Sequence, residues 1–509
     1  MTETMNRLAC VLLLSCLVGS GLAGCTTLAP VVLPEEDALP AADTNFWHHI
    51  VNAHPADWYH VLNEGEEALD WRLRAIDSAT VSIDMETFLW KPDRSGLQIL
   101  SGLLAAADRG VRVRVMLDDS FTMHEDLALH AMDEHPNIEY RIYNPYRHRQ
   151  DSVLLRQLFN LGDFSRVNHR MHNKALVVDG QAAIIGGRNL GDEYFGYDEA
   201  FNFRDMEVLT VGAGVQGVVH HFDKYWNSGW AFPVHEIIKP REGAPNLQDM
   251  RDYLAANTPP AVPRDPLALE ALWVTTAANA HPGNSVFFSD TPARDNPAAE
   301  EEEPNQLAAA LMALIDDADT EVILVSAYLI PTPELEGAIE RAEKRGVNVR
   351  ILTNSLRSNN HLAAHSAYRG HIEQLVSHGA DLYEMRVDAV DRPLYMQEPV
   401  QDKRLGLHAK ILVIDDDRVF VGSCNLDPRS LKINTEVGLI IDSEPLNQAL
   451  REMLAADFEP RNAWSVRMSE DGSLRWHGED VVLNAPPADS QVERLEDWFI
   501  GLLPIDDEM

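Results

Sequence analysis

Two stretches far apart in the chain carry the same reactive side chains. His172-Asn-Lys174 is followed by Asp179 and then by Gly186-Gly187-Arg188-Asn189. His408-Ala-Lys410 is followed by Asp415 and then by Gly422-Ser423-Cys424-Asn425. Both fit H-x-K-x4-D-x6-G-[GS]-x-N, and His172 and His408 lie 236 positions apart. At about 5% usage per residue type, one such match arises by chance on the order of 1e-8 per window. Residues i and i+2 of a strand share a face, so each histidine projects beside its lysine. A turn then sends the chain back and brings Asn189 or Asn425 next to them. The small residues before each asparagine let backbone approach an anion closely. Each copy thus offers an imidazole, an ammonium and an amide, a nucleophile or acid beside two donors for phosphate oxygens.

One imidazole is not enough for phosphodiester transfer. One histidine must attack phosphorus while another protonates the leaving oxygen, and the roles reverse in the second step. Two copies face to face supply that pair. Two lysines and two asparagines can offset the charge on the phosphoryl oxygens. The sequence has no carboxylate cage and no His/Cys ligand spacing, so neither a metal nor another cofactor is expected.

The elements that must position these groups repeat as well. Thr80 to Phe88 alternates apolar and polar residues as a strand does. Ser95 is read as the N-cap of a helix to Arg109 that stops at Gly110, and Val111 to Leu117 forms the next strand. The same order returns as a strand over Val322 to Leu329, a helix from Pro333 to Gly346, and a strand over Val347 to Leu352. Gly110 and Gly346 are again 236 apart. The fold class is α/β, with two copies of one unit. The expected division is 1–25 signal peptide, 26–44 tether and 45–232 first unit. It continues as 233–303 linker or insert, 304–458 second unit, and 459–509 C-terminal extension with an amphipathic helix. The acidic run Glu300 to Glu303 reads as a solvated linker.

Eighty acidic against 42 basic residues give a formal charge of −38, which repels a phosphate backbone and argues against nucleic acid as partner. Three of the four cysteines fall in the first 25 residues. Arg7 precedes an uncharged stretch, Leu8 to Gly24, short for a spanning helix and suited to a secretory signal. It ends Leu22-Ala23-Gly24-Cys25, which resembles the bacterial lipobox and implies lipidation at Cys25. The expectation is an exported lipoprotein on the periplasmic side, with outer against inner membrane open and Thr26 after Cys25 favouring the outer. The alternative is a plain signal peptide or an uncleaved anchor.

The paired motifs resemble the phospholipase D superfamily, the HKD phosphodiesterases and phosphatidyltransferases, over roughly Ser78 to Phe458. Within it the chain is similar to bacterial cardiolipin synthases of the C type. The likeness rests on Leu104 to Arg114, Asp163-Phe-Ser-Arg166, Arg170 to Lys174 and Gly186 to Gly196. The second half adds Ile351 to Leu356, Gly422 to Ser430, Asn434-Thr-Glu436 and the terminal Leu502 to Asp506. The resemblance implies two α/β/α sandwiches related by a pseudo-twofold, with one active site at their interface. It implies transfer of a phosphatidyl group to phosphatidylglycerol, the C type being known for accepting phosphatidylethanolamine as donor. The partners implied are phospholipid substrates and a membrane surface reached through the lipid anchor; an accessory protein is left open.

The family's pattern further implies that His172 forms the phosphohistidine and that His408 acts as acid, then base. A carboxylate after each motif is expected to orient its own histidine: Glu436 in the second half, and Asp205 in preference to Glu207 in the first. Asp179 and Asp415 read as turn caps. Gly187 replaces the more usual serine and removes a hydroxyl donor. Arg147, Arg149, Arg166 and Arg170 are candidate headgroup contacts, with ordinary carboxylate pairing as the alternative. Val153 to Leu161 reads as a core helix, with acyl-chain contact as the alternative. Val492, Leu495, Phe499 and Leu502 form one helical face, expected to pack on the body rather than meet a membrane. His220, His221, His361 and His365 belong to no motif. The rival functions are a phospholipase D hydrolase releasing phosphatidic acid, an HKD nuclease, and a lipoprotein binding anionic lipid through a degenerate site.

Overall fold

The computed structural model describes residues 28–500 apart from 53, 55, 123–124, 150–152, 241, 260–264 and 293–304. The signal peptide with Cys25, the acidic run at 300–303 and the terminal 502–506 lie outside the described residues.

The first half contributes β1 (Asp57–Leu62), β2 (Ser82–Thr87), β3 (Arg112–Asp118), β4 (Ile138–Tyr143), β5 (Ala175–Val178), β6 (Ala182–Gly186), β7 (Phe201–Arg204), β8 (Glu207–Val211) and β9 (Ala231–Pro233). The second contributes β10 (His281–Ser289), β11 (Glu321–Ser326), β12 (Asn348–Asn354), β13 (Asp381–Met385), β14 (Arg404–Leu407), β15 (Lys410–Ile414), β16 (Arg418–Gly422), β17 (Val437–Asp442) and β18 (Ala463–Met468). In the first sheet the spatial order is β9-β4-β3-β2-β5-β6-β8-β1, with β2, β3 and β4 parallel and the rest antiparallel. The second runs β18-β13-β12-β11-β15-β16-β17-β10 with the same senses. The two orders correspond strand for strand, and β1 pairs antiparallel with β10 across the join.

Period-two alternation explains why the strands are apolar throughout. Leu176 and Val178 face the core of the first half, whereas Ala175 and Val177 face a third core shared with the twin sheet. Leu412 and Ile414 face the second core, and Ile411 and Val413 join the shared one. A sheet covered on both faces needs apolar residues at every position.

Several expectations change on folding. The helix Arg94–Asp108 is capped by Asp93, whose side chain accepts from Gly96 N–H; Ser95 instead gives its N–H and hydroxyl to Asp192. The 28–43 segment, expected as a tether, lies along the first half. Val31 N–H donates to Gly229, Ala38 N–H to Asp223, and Glu36 pairs with Arg141. The span expected as linker or insert supplies β10, which joins the sheets, and the helix Pro266–Asn279, whose Trp273 is fully buried against Trp47 and Trp71. The helix Val153–Phe159 is not a core helix: Leu155, Leu158 and Phe159 are exposed. The terminal helix Gln491–Ile500 docks by its polar side, with Asp497 buried on His365 and Ser366. Val492 and Leu495 point outward, against the packing expected of them. Among the described residues no helix is long and apolar enough to cross a membrane.

Candidate active site

Each motif begins just ahead of its strand, His172 three residues before β5 and His408 two before β15. The β5–β6 turn is made by Asp179 and Gly180, both in the left-handed region at φ 55° and 62°, and the β15–β16 turn by Asp415 at φ 47°. The Asp179 carboxylate also accepts from the backbone of Thr80, Val81 and Ser82, and Asp415 from Asp319, Thr320 and Glu321. The two aspartates therefore clamp β2 and β11 at the strand ends remote from the histidines, in keeping with turn caps.

Two short parallel ladders bring the halves together. β7 runs beside β14 in a register that ends Arg204↔Leu407, so the next residues, Asp205 and His408, meet. Met171 bridges Thr435 in the same sense, so His172 and Glu436 meet. His408 N–H donates to Arg204 O at 2.8 Å, and His172 N–H to Thr435 O at 2.9 Å. His408 Nδ1 lies 2.6 Å from Asp205, and His172 Nδ1 lies 2.8 and 2.9 Å from the two Glu436 oxygens. The expectation that each carboxylate serves its own half is thereby corrected: each reaches the other half's histidine. The ladders cross between halves, which no within-half spacing encodes. Glu207 is held by Arg72 and Arg188 instead.

Both lysines are buried. Lys174 Nζ donates to His172 O at 2.6 Å, and Lys410 Nζ donates to His408 O. Asn189 Nδ2 donates to the Tyr194 hydroxyl at 2.9 Å. The amide oxygens of Asn189 and Asn425 are buried without hydrogen-bond partners. Burial, then the charge of the paired lysines, pushes both imidazoles toward the neutral form: His172 well below its ordinary value and His408 to about 3. Burial lowers Lys174 to about 7 and Lys410 to about 8. Burial raises Glu436 to about 8, whereas His408, Lys410 and Arg188 outweigh burial at Asp205 and hold it below the carboxylate range. With each Nδ1 engaged by a carboxylate, Nε2 is the ring nitrogen left for phosphorus or a leaving oxygen.

The arginines expected near the headgroup serve the fold. Arg166 is buried on Asp163 and Asn144, and Arg170 on Asp118 and the Asn144 carbonyl. Arg149 pairs with Asp119 and Asp126. Their carboxylate partners are Asp118 and Asp119 at the end of β3, Asp126 at the start of the next helix and the local Asp163, so the basic excess is internally compensated. Gly187 has a steric reason: a Cβ there would stand 2.6 Å from Asp205 Oδ1. Sequence reasoning missed Phe88, whose ring lies edge-on to His172 at 4.9 Å, and Tyr194 and Phe203, each 5.0 Å from His408. Ser423, the [GS] position of the second motif, gives its hydroxyl to Glu436. No motif position flagged the rings; only the sheet ends bring them in. His221, outside every motif, pairs with buried Glu86 behind Asn173. Among the described residues no cluster of His, Cys, Asp and Glu suits a metal ion.

This pairing of two His-x-Lys motifs across twin α/β sheets is that of a phospholipase D-type phosphodiesterase. The sequence profile described as "Cardiolipin synthase, PLD-like domain" matches residues 73–228 and 311–458, and the chain belongs to this family. It is 32% identical to cardiolipin synthase C of Escherichia coli (strain K12) over 466 residues, 87% of this chain and 94% of that one. It is 26% identical to cardiolipin synthase B of the same strain, over 79% and 84% of the two chains. The crystal structure of phosphatidylserine synthase from Haemophilus influenzae Rd KW20 shares the fold, with a TM-score of 0.52 at 14% identity, covering 81% of this chain and 90% of that one.

Proposed function

We propose that this protein is a phosphatidyltransferase that makes cardiolipin. One imidazole Nε2 attacks the phosphorus of a phospholipid donor, and the bond to the headgroup oxygen breaks. Beside the bound phosphodiester anion the second histidine carries a proton on each ring nitrogen, and it gives that oxygen the one on Nε2. A hydroxyl of phosphatidylglycerol then loses its proton to the second histidine and attacks the phosphohistidine, releasing the first ring. In the order the family suggests, His172 attacks and His408 transfers the proton. Lys174, Lys410, Asn189 and Asn425 hold the phosphoryl oxygens, and Asp205 and Glu436 fix the ring tautomers.

The observation that carries this reading is the crossed pairing of His172 with Glu436 and His408 with Asp205, which makes one two-histidine centre from two halves. The test is incubation of purified protein with vesicles of phosphatidylglycerol and phosphatidylethanolamine, with products identified by mass spectrometry. Cardiolipin is expected; phosphatidic acid without cardiolipin would mean a hydrolase. Export and lipidation at Cys25 belong to the same proposal, placing the enzyme on a membrane at the periplasmic side. Loss of membrane association and of the lipid-modified N-terminal peptide in Cys25→Ser is the expected result.

A further inference from the structure

Between the helices Arg94–Asp108 and Asp126–Asp133 the first half holds a cleft of about 60 Å³ that opens to solvent at its mouth. Leu97 and Leu100 line it from one helix, Ala128 and Leu129 from the other, and Leu117 and Phe88 from the strand ends. Phe88 is the partition between this cleft and the active centre. One face of its surroundings is the cleft, while its ring meets His172 edge-on at 4.9 Å and stands 5.3 Å from Lys174 Nζ. Phe121 packs edge-on against Phe88 at 5.3 Å and is half exposed, so it marks the mouth. Asp118 ties the cleft wall to the motif, accepting from Met171 N–H at 2.9 Å, one residue before His172.

We propose that this cleft receives one fatty acyl chain of the phosphatidyl donor while the phosphorus sits at His172. The inference rests on the transferase reading and names where its substrate's tail goes. A phosphatidyl group carries its two chains on the glycerol joined to the phosphorus. Phosphorus at His172 therefore puts the first methylenes near Phe88, on the apolar side of the partition. The walls are mostly side chains that cannot hydrogen-bond, which suits a hydrocarbon and not a headgroup. In the second half, the helix Gln491–Ile500 lies over the helix Leu362–Tyr368, with Asp497 filling the polar contact.

The experiment compares short-chain phosphatidyl donors of rising chain length, each kept monomeric below its critical micelle concentration, using the full chain. Moving each further methylene from water into the cleft strengthens binding about fourfold, so wild-type kcat/KM climbs steeply from dibutanoyl to dioctanoyl donors until the cleft is full. Ala128→Trp and Leu100→Trp fill the cleft and are expected to lower the ratio of dioctanoyl to dibutanoyl turnover about tenfold or more. A ratio unchanged in both folded variants overturns the proposal. Wild-type protein photolysed with a phosphatidylglycerol bearing a diazirine at mid-chain gives a readout free of variant folding. Adducts on the two cleft helices are expected, and adducts only elsewhere sink the idea. Labelling does not require turnover. A protein labelled in the cleft that converts no lipid overturns the transferase reading and leaves the cleft standing.

Discussion

The two halves of the active centre reach the same arrangement by different chemistry. At His408 the partner is an aspartate, which accepts directly from Met206 N–H at 2.8 Å, beside a glycine at position 187. At His172 the partner is the longer glutamate. There Val437 N–H donates to Ser423 Oγ at 3.0 Å, and the serine hydroxyl donates onward to Glu436. A short carboxylate with glycine and a long carboxylate with serine are thus compensating pairs. They leave different charges behind: His408, Lys410 and Arg188 keep Asp205 ionised, while burial pushes Glu436 up to about 8. A duplicated fold conserves the reacting geometry without conserving the proton inventory.

The strongest way to break this comparison is to remove either ring. His172→Asn and His408→Asn are each expected to cut lipid turnover by about 10³-fold or more, because either ring alone leaves attack or protonation undone. Substantial activity in one of them would end the shared-centre mechanism. The carboxylates sharpen it. Asp205→Asn removes a charge present at pH 7 and is expected to lower kcat about 100-fold, near the upper end of orienting-partner effects. Glu436→Gln resembles the protonated form already favoured at pH 7, and a loss of about tenfold or less is expected. Equal losses would erase the asymmetry.

The pH profile tests the same inventory. Lysines lowered to about 7 and 8 lose their protons as pH rises, and with them their hold on the phosphoryl oxygens. The free-enzyme profile of kcat/KM should therefore fall on its alkaline side from about pH 7 to 8. A profile flat to pH 10 would contradict the buried ammonium groups. Gly187→Ala brings a methyl against Asp205 and is expected to cost about tenfold in kcat, read alongside a thermal melt. Least affected should be Val492→Ser and Leu495→Ser, exposed on the terminal helix. Their unfolding free energies are expected to stay within about 0.5 kcal/mol of wild type.

The repeat was legible because strands and motifs recur at one offset. The strands β2, β3, β5 and β6 and their twins β11, β12, β15 and β16 follow from alternation, glycine stops and the His-x-Lys positions, whereas their order in each sheet is set by the pairings. Asp205 was distinguishable from Glu207 by matching the strands that follow each motif. The tether and linker readings failed for a common reason. Proline, alanine and acids mark a segment as irregular, not as detached, and Glu36 and Trp273 find partners that no local pattern names. The alternative of ordinary carboxylate pairing holds at both arginines: Arg170 finds Asp118 on β3, which a local charge count leaves out, and Arg166 pairs with Asp163 three residues before it.

The sequence by itself determined the chemistry: which side chains come in twos, that phosphorus suits them, and that the chain is an α/β duplication. Tertiary structure alone decided which carboxylate serves which histidine, that phenyl and phenol rings flank them, and that an apolar cleft opens beside Phe88 in the first half. The physical reason is range. Strand periodicity and turns act over a few residues and are written locally, whereas a parallel ladder between residues more than 200 positions apart, such as that of β7 with β14, exists only once both sheets have packed on their shared core.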